Sequence, residues 1–503
     1  MAFVELLSTR QQDVSPPSES RHSVNGANAG SGAGHHPRLN RLLEHSWPIQ
    51  EHLKNENSEK LFNWIGGCVA HVVRKGCEAF DLSPDDELPM GVTFSFPMNQ
   101  TSLSSATLMA MGKGFAITST LDLGGQLLQG YEAHRGGEGE LPPIKIAAIA
   151  NDAVSTLVSF VYQFSTAAAR GPHQKAAMGL IVGTGCNATI PLKLSSLHES
   201  KRPASISVLQ HDSHATDDVR IAVNTEWSIN GSAPPLRKLG LISRWDEQLD
   251  RAGEYPGFQP LEYMTAGRYL GELARLIFVD YLSSAMGVSL GSFPEKLRQR
   301  FGLTTTFISH FYPGSPKGDI LGQLGREFPV PDTGSFGWTQ PTAEALYRIA
   351  RAIQVRAAGI VAAATVGLLR CAEEIPDDFA TYSSSIPTGG EQNKQNGETI
   401  PTRTTKEVAV GYTGGCIQFF QDYLLDTQRF LDEIVELEYR AALQKRQQQQ
   451  QGTDAVNSGK PPVRIILVPC HDGGITGAGI LVPSALMSEE AAAVAAARRI
   501  TGS

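Results

Sequence analysis

The chain has 503 residues, 41% of them hydrophobic and 19% charged, and that length predicts two to four domains or one enzyme of two lobes. Its net charge of -8 makes it a poor candidate for nonspecific nucleic-acid binding, which needs a basic surface, though a local basic patch stays open. Six scattered cysteines (Cys68, Cys77, Cys186, Cys371, Cys416 and Cys470) form no C-x-x-C pair, which argues against a zinc site and suits a reducing compartment.

In chain order, Ala2 to Leu7 reads as a short strand. Residues 14–37 are rich in Ser, Gly and Pro and read as a disordered loop. The N-terminal segment has no basic n-region of a signal peptide, and no uninterrupted run of about 20 apolar residues predicts a membrane span. The expectation is therefore a cytoplasmic protein without one. Leu61, Ile65, Val69 and Val72 recur at helical spacing, predicting a helix from Leu61 to Lys75. GVTFSFPM reads as a strand ending at Pro97. IKIAAIAN reads as a strand buried on both faces, running into a helix over DAVSTLVSFVYQF. AAMGLIVGTG, VAVGYTGGC and RIILVPC are further apolar strands, the first two ending in glycines and the third running into a glycine loop. Long helical patterns cover Leu261 to Leu282 and Ala343 to Glu373. Polar stretches at about 380–406 and 444–460 read as disordered insertions. Strand, polar loop, then helix is the pattern of an α/β fold, whose sites lie at the carboxyl ends of strands.

Several short motifs fall at those strand ends. Gly183-Thr184-Gly185, Gly414-Gly415 and Asp472-Gly473-Gly474 could each bring backbone amides to a phosphate, and each is also what an ordinary tight turn looks like. No G-x-x-x-x-G-K-[ST] and no G-x-G-x-x-G between strand and helix occurs, which excludes a P-loop and weakens a dinucleotide site. Asn151-Asp152 offers either a general base or a cap for the next helix. Ser95-Phe96-Pro97 with Lys113 downstream reads as a strand end and a surface lysine. Glu226 and Glu262, taken singly, read as solvated charges.

The order of the pieces says more than any one of them. TFSFP, KGF, ANDAVSTL, GLIVGTGCNA, NTEW and PLEYMTAGRYLGELARL together resemble the hexokinase family from about Leu88 to Leu282, and VGYTGGC and LVPCHDGGITGAG extend the resemblance. The resemblance implies the actin-like ATPase (ribonuclease H-like) two-lobed α/β fold. The small lobe would be 1–150, the large lobe 151–481, and a helix at 482–503 would return to the small lobe, with the sugar in the cleft between lobes. It implies ATP and Mg2+ as cofactors, a small-molecule sugar as partner, no separate protein metal site, and a monomer or weak homodimer. It carries the family's catalytic base onto Asp152. Its sugar contacts fall on Ser95, Phe96, Pro97, Lys113, Asn151, Asn187, Glu226 and Glu262. Its nucleotide loops fall on Gly183, Thr184 and Gly185, on Gly414 and Gly415, and on Gly473 and Gly474.

The implied activity is ATP-dependent phosphorylation of a hexose, glucose or N-acetylglucosamine, at its primary hydroxyl, as in glycolysis. The alternative is a weak or inactive sugar sensor. A missing loop and altered nucleotide motifs motivate that alternative, among them an extra residue in HDGGITGAG. The family's first phosphate loop, Asp-x-Gly-Gly-Thr/Ser, has no counterpart before Leu88, and MAFVELL resembles the strand that follows it. On this reading the chain begins one strand late, either at an internal methionine or because the loop is truly lacking. Thr413 stands where the family has an Asp, and Gly112 where it has a Thr.

Overall fold

The computed structural model of the chain describes residues 1–6, 39–50, 53, 57–109, 117, 120–136, 141–166, 173–203, 219–229, 231–330, 336–377, 379, 394–395, 398–399, 405–449 and 460–501. Lys113, Gly112, the loop expected at 14–37 and most of both expected insertions lie outside the described residues. The chain divides into two compact units, Met1–Ala150 with Ile475–Ser503, and Asn151–Gly474.

In the first unit, β1 (Ala2–Leu6) pairs antiparallel with β2 (Leu39–Glu44). The helix α1 (Ser58–Phe80) is longer at both ends than its apolar spacing predicts. The side chain of Asn57 caps its start by accepting from the Lys60 amide, and Asp81 ends it in a left-handed conformation. Strand β3 (Leu88–Phe94) lies beside β7 (Ile144–Asn151), and β4 (Met98–Ser102), β5 (Ser105–Leu108) and β6 (Leu121–Asp122) form an antiparallel sheet. The expected strand end at Pro97 is corrected: β3 stops at Phe94, and Ser95–Pro97 is the bend before β4. Proline has no N–H for a ladder and restricts the residue before it, so the strand cannot run through it. The core of this unit gathers Leu61, Phe62 and Leu108 with Leu123 of α2 (Leu123–Glu132) and Ile149 of β7.

The second unit is built on a five-stranded sheet. In sequence order its strands are β8 (Gln174–Val182), β9 (Cys186–Lys193), β10 (Arg220–Asn224), β13 (Lys406–Thr413) and β14 (Val463–Pro469). They lie side by side as β10-β9-β8-β13-β14, with β9 antiparallel to both neighbours and β13 parallel to β8 and β14. This is the 3-2-1-4-5 arrangement of a ribonuclease H-like sheet. Met178, Leu180 and Val182 of β8 are fully buried, as the continuous apolar run requires. The helix α3 (Asp152–Thr166) packs on the sheet, bringing the backbone of Leu157 against Gly179.

The expected helix over Leu261 to Leu282 is broken into α4 (Pro260–Thr265) and α5 (Gly267–Asp280), with Ala266 extended at φ -97 and ψ 147. Part of the expected insertion at 380–406 forms a two-stranded pair, β11 (Lys394–Gln395) with β12 (Glu398–Thr399). Helix α6 (Gln340–Cys371) is long and apolar enough to cross a membrane by length and composition, yet more than half of its most apolar window is buried inside the structure. Its start is fixed by a capping box between Thr339 and Thr342. The five-residue α7 (Gly415–Phe419) follows β13. Helix α8 (Tyr423–Gln449) continues through the first residues of the insertion expected at 444–460, and α9 (Gly473–Thr501) starts well before the expected 482.

Candidate functional site

Three glycine segments sit at the carboxyl ends of the parallel strands of the second unit. Val182 pairs with Cys186, so Gly183, Thr184 and Gly185 form the turn between β8 and β9. The Gly183 amide donates to the Gly185 carbonyl at 2.9 Å. The break at Ala266 points the first amides of α5 at this turn. Gly267 N donates to Gly183 O at 2.8 Å and Arg268 N to Thr184 O at 3.2 Å. Helix-start amides have no partner within their own helix, and here the turn supplies it. Gly414, at φ 116 and ψ 137, ends β13 beside the same turn, where a Cβ would stand 2.4 Å from the Val182 carbonyl. Only glycine fits there. After β14, Asp472 is left-handed at φ 57, and a Cβ on Gly473 would lie 3.0 Å from Thr156 Cα of α3. Gly183 to Gly185, Gly414 and Gly415, and Gly473 and Gly474 thus lie along one sheet edge, where open α/β sheets bind ligands.

A polar cluster begins one residue beyond the turn. The Cys186 amide donates to Glu262 Oε2 of α4 at 3.0 Å, and Glu262 is 3% exposed. Asn187 Nδ2 donates to Glu226 Oε1 at 3.1 Å and to Asn224 Oδ1 at 2.8 Å. Asn224 Nδ2 donates to the same Glu226 oxygen at 2.8 Å. Trp227 Nε1 and Ser228 Oγ, just after Glu226, both donate to the Cys186 carbonyl, at 3.2 and 2.8 Å. The backbone of Cys186 therefore ties the Glu226 loop and the Glu262 helix together. Tyr263, next to Glu262, has its hydroxyl pushed up to about 12, by burial first and then by the charges of Asp250 and Glu262. It stays a neutral donor, here to Tyr255 O at 3.1 Å.

Asn151 and Asp152 stand where β7 turns into α3. Asn151 Oδ1 and Asp152 Oδ1 both accept from the Ala153 amide, at 2.9 and 3.0 Å, so the capping geometry is present. The Asp152 side chain is at the first turn of a helix, where the dipole favours a carboxylate. Ser95, Phe96 and Pro97 belong to the first unit. Ser95 is exposed, while Phe96 is buried and stacks on Phe94 with ring centroids 4.9 Å apart. Among the described residues no three His, Cys, Asp or Glu side chains are grouped to hold a metal. Asn224 is a site residue that sequence reasoning missed. Its signal was available: residues two apart on a strand face the same way, and Asn224 precedes Glu226 by two.

Comparison with known proteins gives this edge its context. The chain is 28% identical over 327 residues to Hexokinase-1 of Nicotiana tabacum, covering 64% of this chain and 58% of that protein. It is 29% identical over 347 residues to Hexokinase-7 of Oryza sativa subsp. japonica, covering 67% and 66%. It is 31% identical over 247 residues to the hexokinase of Emericella nidulans, covering 49% and 44%. The matched region thus spans less than two thirds of each relative. The fold is similar to that of a hexokinase from Schistosoma mansoni complexed with glucose, with a TM-score of 0.61 at 22% identity over 90% of this chain and 80% of that one. A second hexokinase crystal structure gives 0.54 at 21% identity over 89% and 78%. The likeness supports the actin-like ATPase fold for this chain, in agreement with the ribonuclease H-like sheet described above. Two sequence profiles described as hexokinase match residues 30–162 and 177–484, and the chain belongs to the hexokinase family.

Proposed function

We propose that the chain transfers the terminal phosphoryl group of ATP, entering as its magnesium complex, to the primary hydroxyl of a hexose, glucose or N-acetylglucosamine. The observation that carries this reading is the adjacency, on one sheet edge, of a carboxylate-and-amide cluster suited to hydroxyls and a glycine-lined turn suited to phosphates. Cys186 lies between them, bonded through its amide to Glu262 and joined in the ladder to the end of β8.

Each part has a chemical task. Glu226 and Glu262 accept hydrogen bonds from sugar hydroxyls, and Asn151 and Asn187 can do so through their amide oxygens. A site built this way rejects an analogue lacking a hydroxyl far more strongly than an apolar pocket can. A primary hydroxyl is a poor nucleophile at neutral pH, and Asp152 is the base assigned to take its proton as the phosphoryl group arrives. Help of this kind is worth roughly 10²–10⁴-fold. Phosphoryl transfer otherwise needs positioning and charge stabilisation. Backbone amides at Thr184 and Gly185, Gly414 and Gly415, and Gly473 and Gly474 are the groups assigned to that work, the last two at the start of a long helix whose dipole favours anions, while the Gly183 amide closes the turn on the Gly185 carbonyl. Magnesium typically takes one or two carboxylates, waters and the substrate's phosphates, and on this reading it enters with the nucleotide.

A second reading, sugar binding without turnover, draws on Thr413 at the end of β13, where a family Asp would stand beside the nucleotide. One experiment separates the two. The purified chain is given magnesium ATP with glucose or with N-acetylglucosamine, and ADP release is followed alongside calorimetric sugar binding. Sugar-dependent ADP release supports the kinase. Binding without release supports the second reading, and neither binding nor release sinks both.

A further inference from the structure

We infer that Asn224 is a positioning residue that fixes how Asn187 and Glu226 face the sugar, and so makes this subsite selective for hydroxyl groups that donate. The inference rests on the sugar-kinase reading above.

The backbone sets the geometry. Asn224 is the last residue of β10 and pairs with Thr189 of β9. Continued in the same register, Thr225 faces Ala188, whose carbonyl accepts from both its amide (3.1 Å) and its hydroxyl (2.8 Å), and Glu226 faces Asn187. There the chain leaves the sheet, because Glu226 is left-handed at φ 42. That is an uncommon backbone for a residue with a long side chain and persists where the surroundings hold it. The Ile229 amide holds the turn by donating to Glu226 O at 2.8 Å. The carboxylate is held by the two amide nitrogens of Asn187 and Asn224, both on Oε1.

The triangle admits one assignment of its amides. Asn187 Oδ1 accepts from the Ala188 amide at 2.8 Å, so its nitrogen must face Asn224 and Glu226. Asn224 accepts that nitrogen through Oδ1, so its own nitrogen must face Glu226. An amide nitrogen has two protons, and both of those on Asn187 are engaged within the triangle. What Asn187 and Glu226 present to a ligand is therefore acceptor capacity. Such a subsite takes neutral sugars through their hydroxyl protons and disfavours an anionic group at the same place. Asn224 is the member that no ligand need touch, yet it determines the direction of the other two.

The test is Asn224→Asp. It keeps the size and the acceptor for Asn187 but sets an oxygen against Glu226 where a donor stood. Calorimetric titration with whichever hexose the unaltered chain binds, steady-state kinetics and thermal melting are measured on the full chain. The expected result is a rise of about tenfold or more in sugar Kd and KM, from the loss of a hydrogen bond to a charged group. The KM for ATP stays within about twofold, and discrimination between the hexose and its monodeoxy analogues shrinks. Asn224→Ser, which retains a donor, shows a smaller effect of the same kind and stands in should the Asp variant not fold. Unchanged sugar affinity and discrimination in Asn224→Asp, with Glu226→Gln weakened, overturns the inference alone. So does an equal loss for sugar and ATP that follows a lowered melting temperature. Failure of the unaltered chain to bind any hexose overturns the sugar-kinase reading and the inference with it.

Discussion

Gly267→Ala probes the joint between α5 and the Gly183–Gly185 turn. A Cβ at position 267 would stand 2.8 Å from Gly183 O and 3.3 Å from Cys416 Cβ. Carbon–oxygen contacts settle near about 3.3 Å, so the turn must retreat by roughly half an ångström, and the hydrogen bonds from Gly267 and Arg268 lengthen with it. Overpacking of this kind costs about 1–3 kcal/mol, and a single close backbone atom places it near about 1. Gly271, one helical turn on, is the control. Its Cβ would meet Thr305 N at 2.3 Å, Thr304 C at 2.5 Å and Leu303 O at 2.6 Å, a harder clash that does not involve the turn. That variant should lose about 3 kcal/mol to the clash and regain about 1 from helix propensity, for a net loss of about 2. Urea unfolding and steady-state kinetics separate the two. Gly271→Ala should be the less stable protein with an unaltered KM for ATP. Gly267→Ala should lose only about 1 kcal/mol of stability but about tenfold in kcat/KM for ATP, since misplacement by about 1 Å can cost 10²-fold. If Gly267→Ala leaves ATP kinetics unaltered, the turn is not part of the nucleotide site and the reasoning fails.

Two further predictions concern stability. Glu272 and Arg275 form a buried two-point ion pair, 2.6 Å and 2.8 Å, with side chains only 4% and 11% exposed, and the Phe301 amide also donates to Glu272. Glu272→Gln leaves the guanidinium buried without its carboxylate and should lower unfolding free energy by about 3–5 kcal/mol in urea; a loss under about 1 kcal/mol would contradict this. Burial pushes the hydroxyls of Tyr131 and Tyr263 up to about 12 from their ordinary 10. Because the folded value lies above the unfolded one, their contribution to stability is complete below about pH 10 and is lost as pH rises from there towards 12. Melting temperature should fall over that window, and Tyr263→Phe should flatten the fall; an unaltered slope in that variant would show the hydroxyl is not held neutral by burial.

Two strands, β7 of the first unit and β8 of the second, were legible because their signal is local. IKIAAIAN and AAMGLIVGTG are apolar runs of strand length; the first became β7 residue for residue, and the second became β8, which starts two residues earlier and stops at Val182, before the glycines. What sequence could not supply came from partners far along the chain. Nothing near Ala266 marks a break in an otherwise helical pattern, since the break exists to let Gly267 and Arg268 bond a turn more than 80 residues earlier. The end of β3 at Phe94 was marked by Pro97, but the signal was placed three residues late. Glu226 and Glu262 each looked like solvated charges alone; the register of β10 against β9, and α4 against Cys186, turned them into parts of one cluster. Asn224 went unseen because its role lies in the direction of its amide, which only its partners define. The Asn151-Asp152 pair keeps both of its sequence readings, since the capping bonds to Ala153 do not prevent the carboxylate from acting as a base.

We propose that this chain moves phosphate from ATP to a hexose with Asp152 as base. The most direct measurement is hexose-dependent ADP release by the chain and by Asp152→Asn, side by side, with calorimetric sugar binding as the control. Turnover is expected in the unaltered chain, with a drop of about 10²–10⁴-fold in kcat for the variant and sugar affinity kept within a few fold. Turnover that persists undiminished in Asp152→Asn would contradict it.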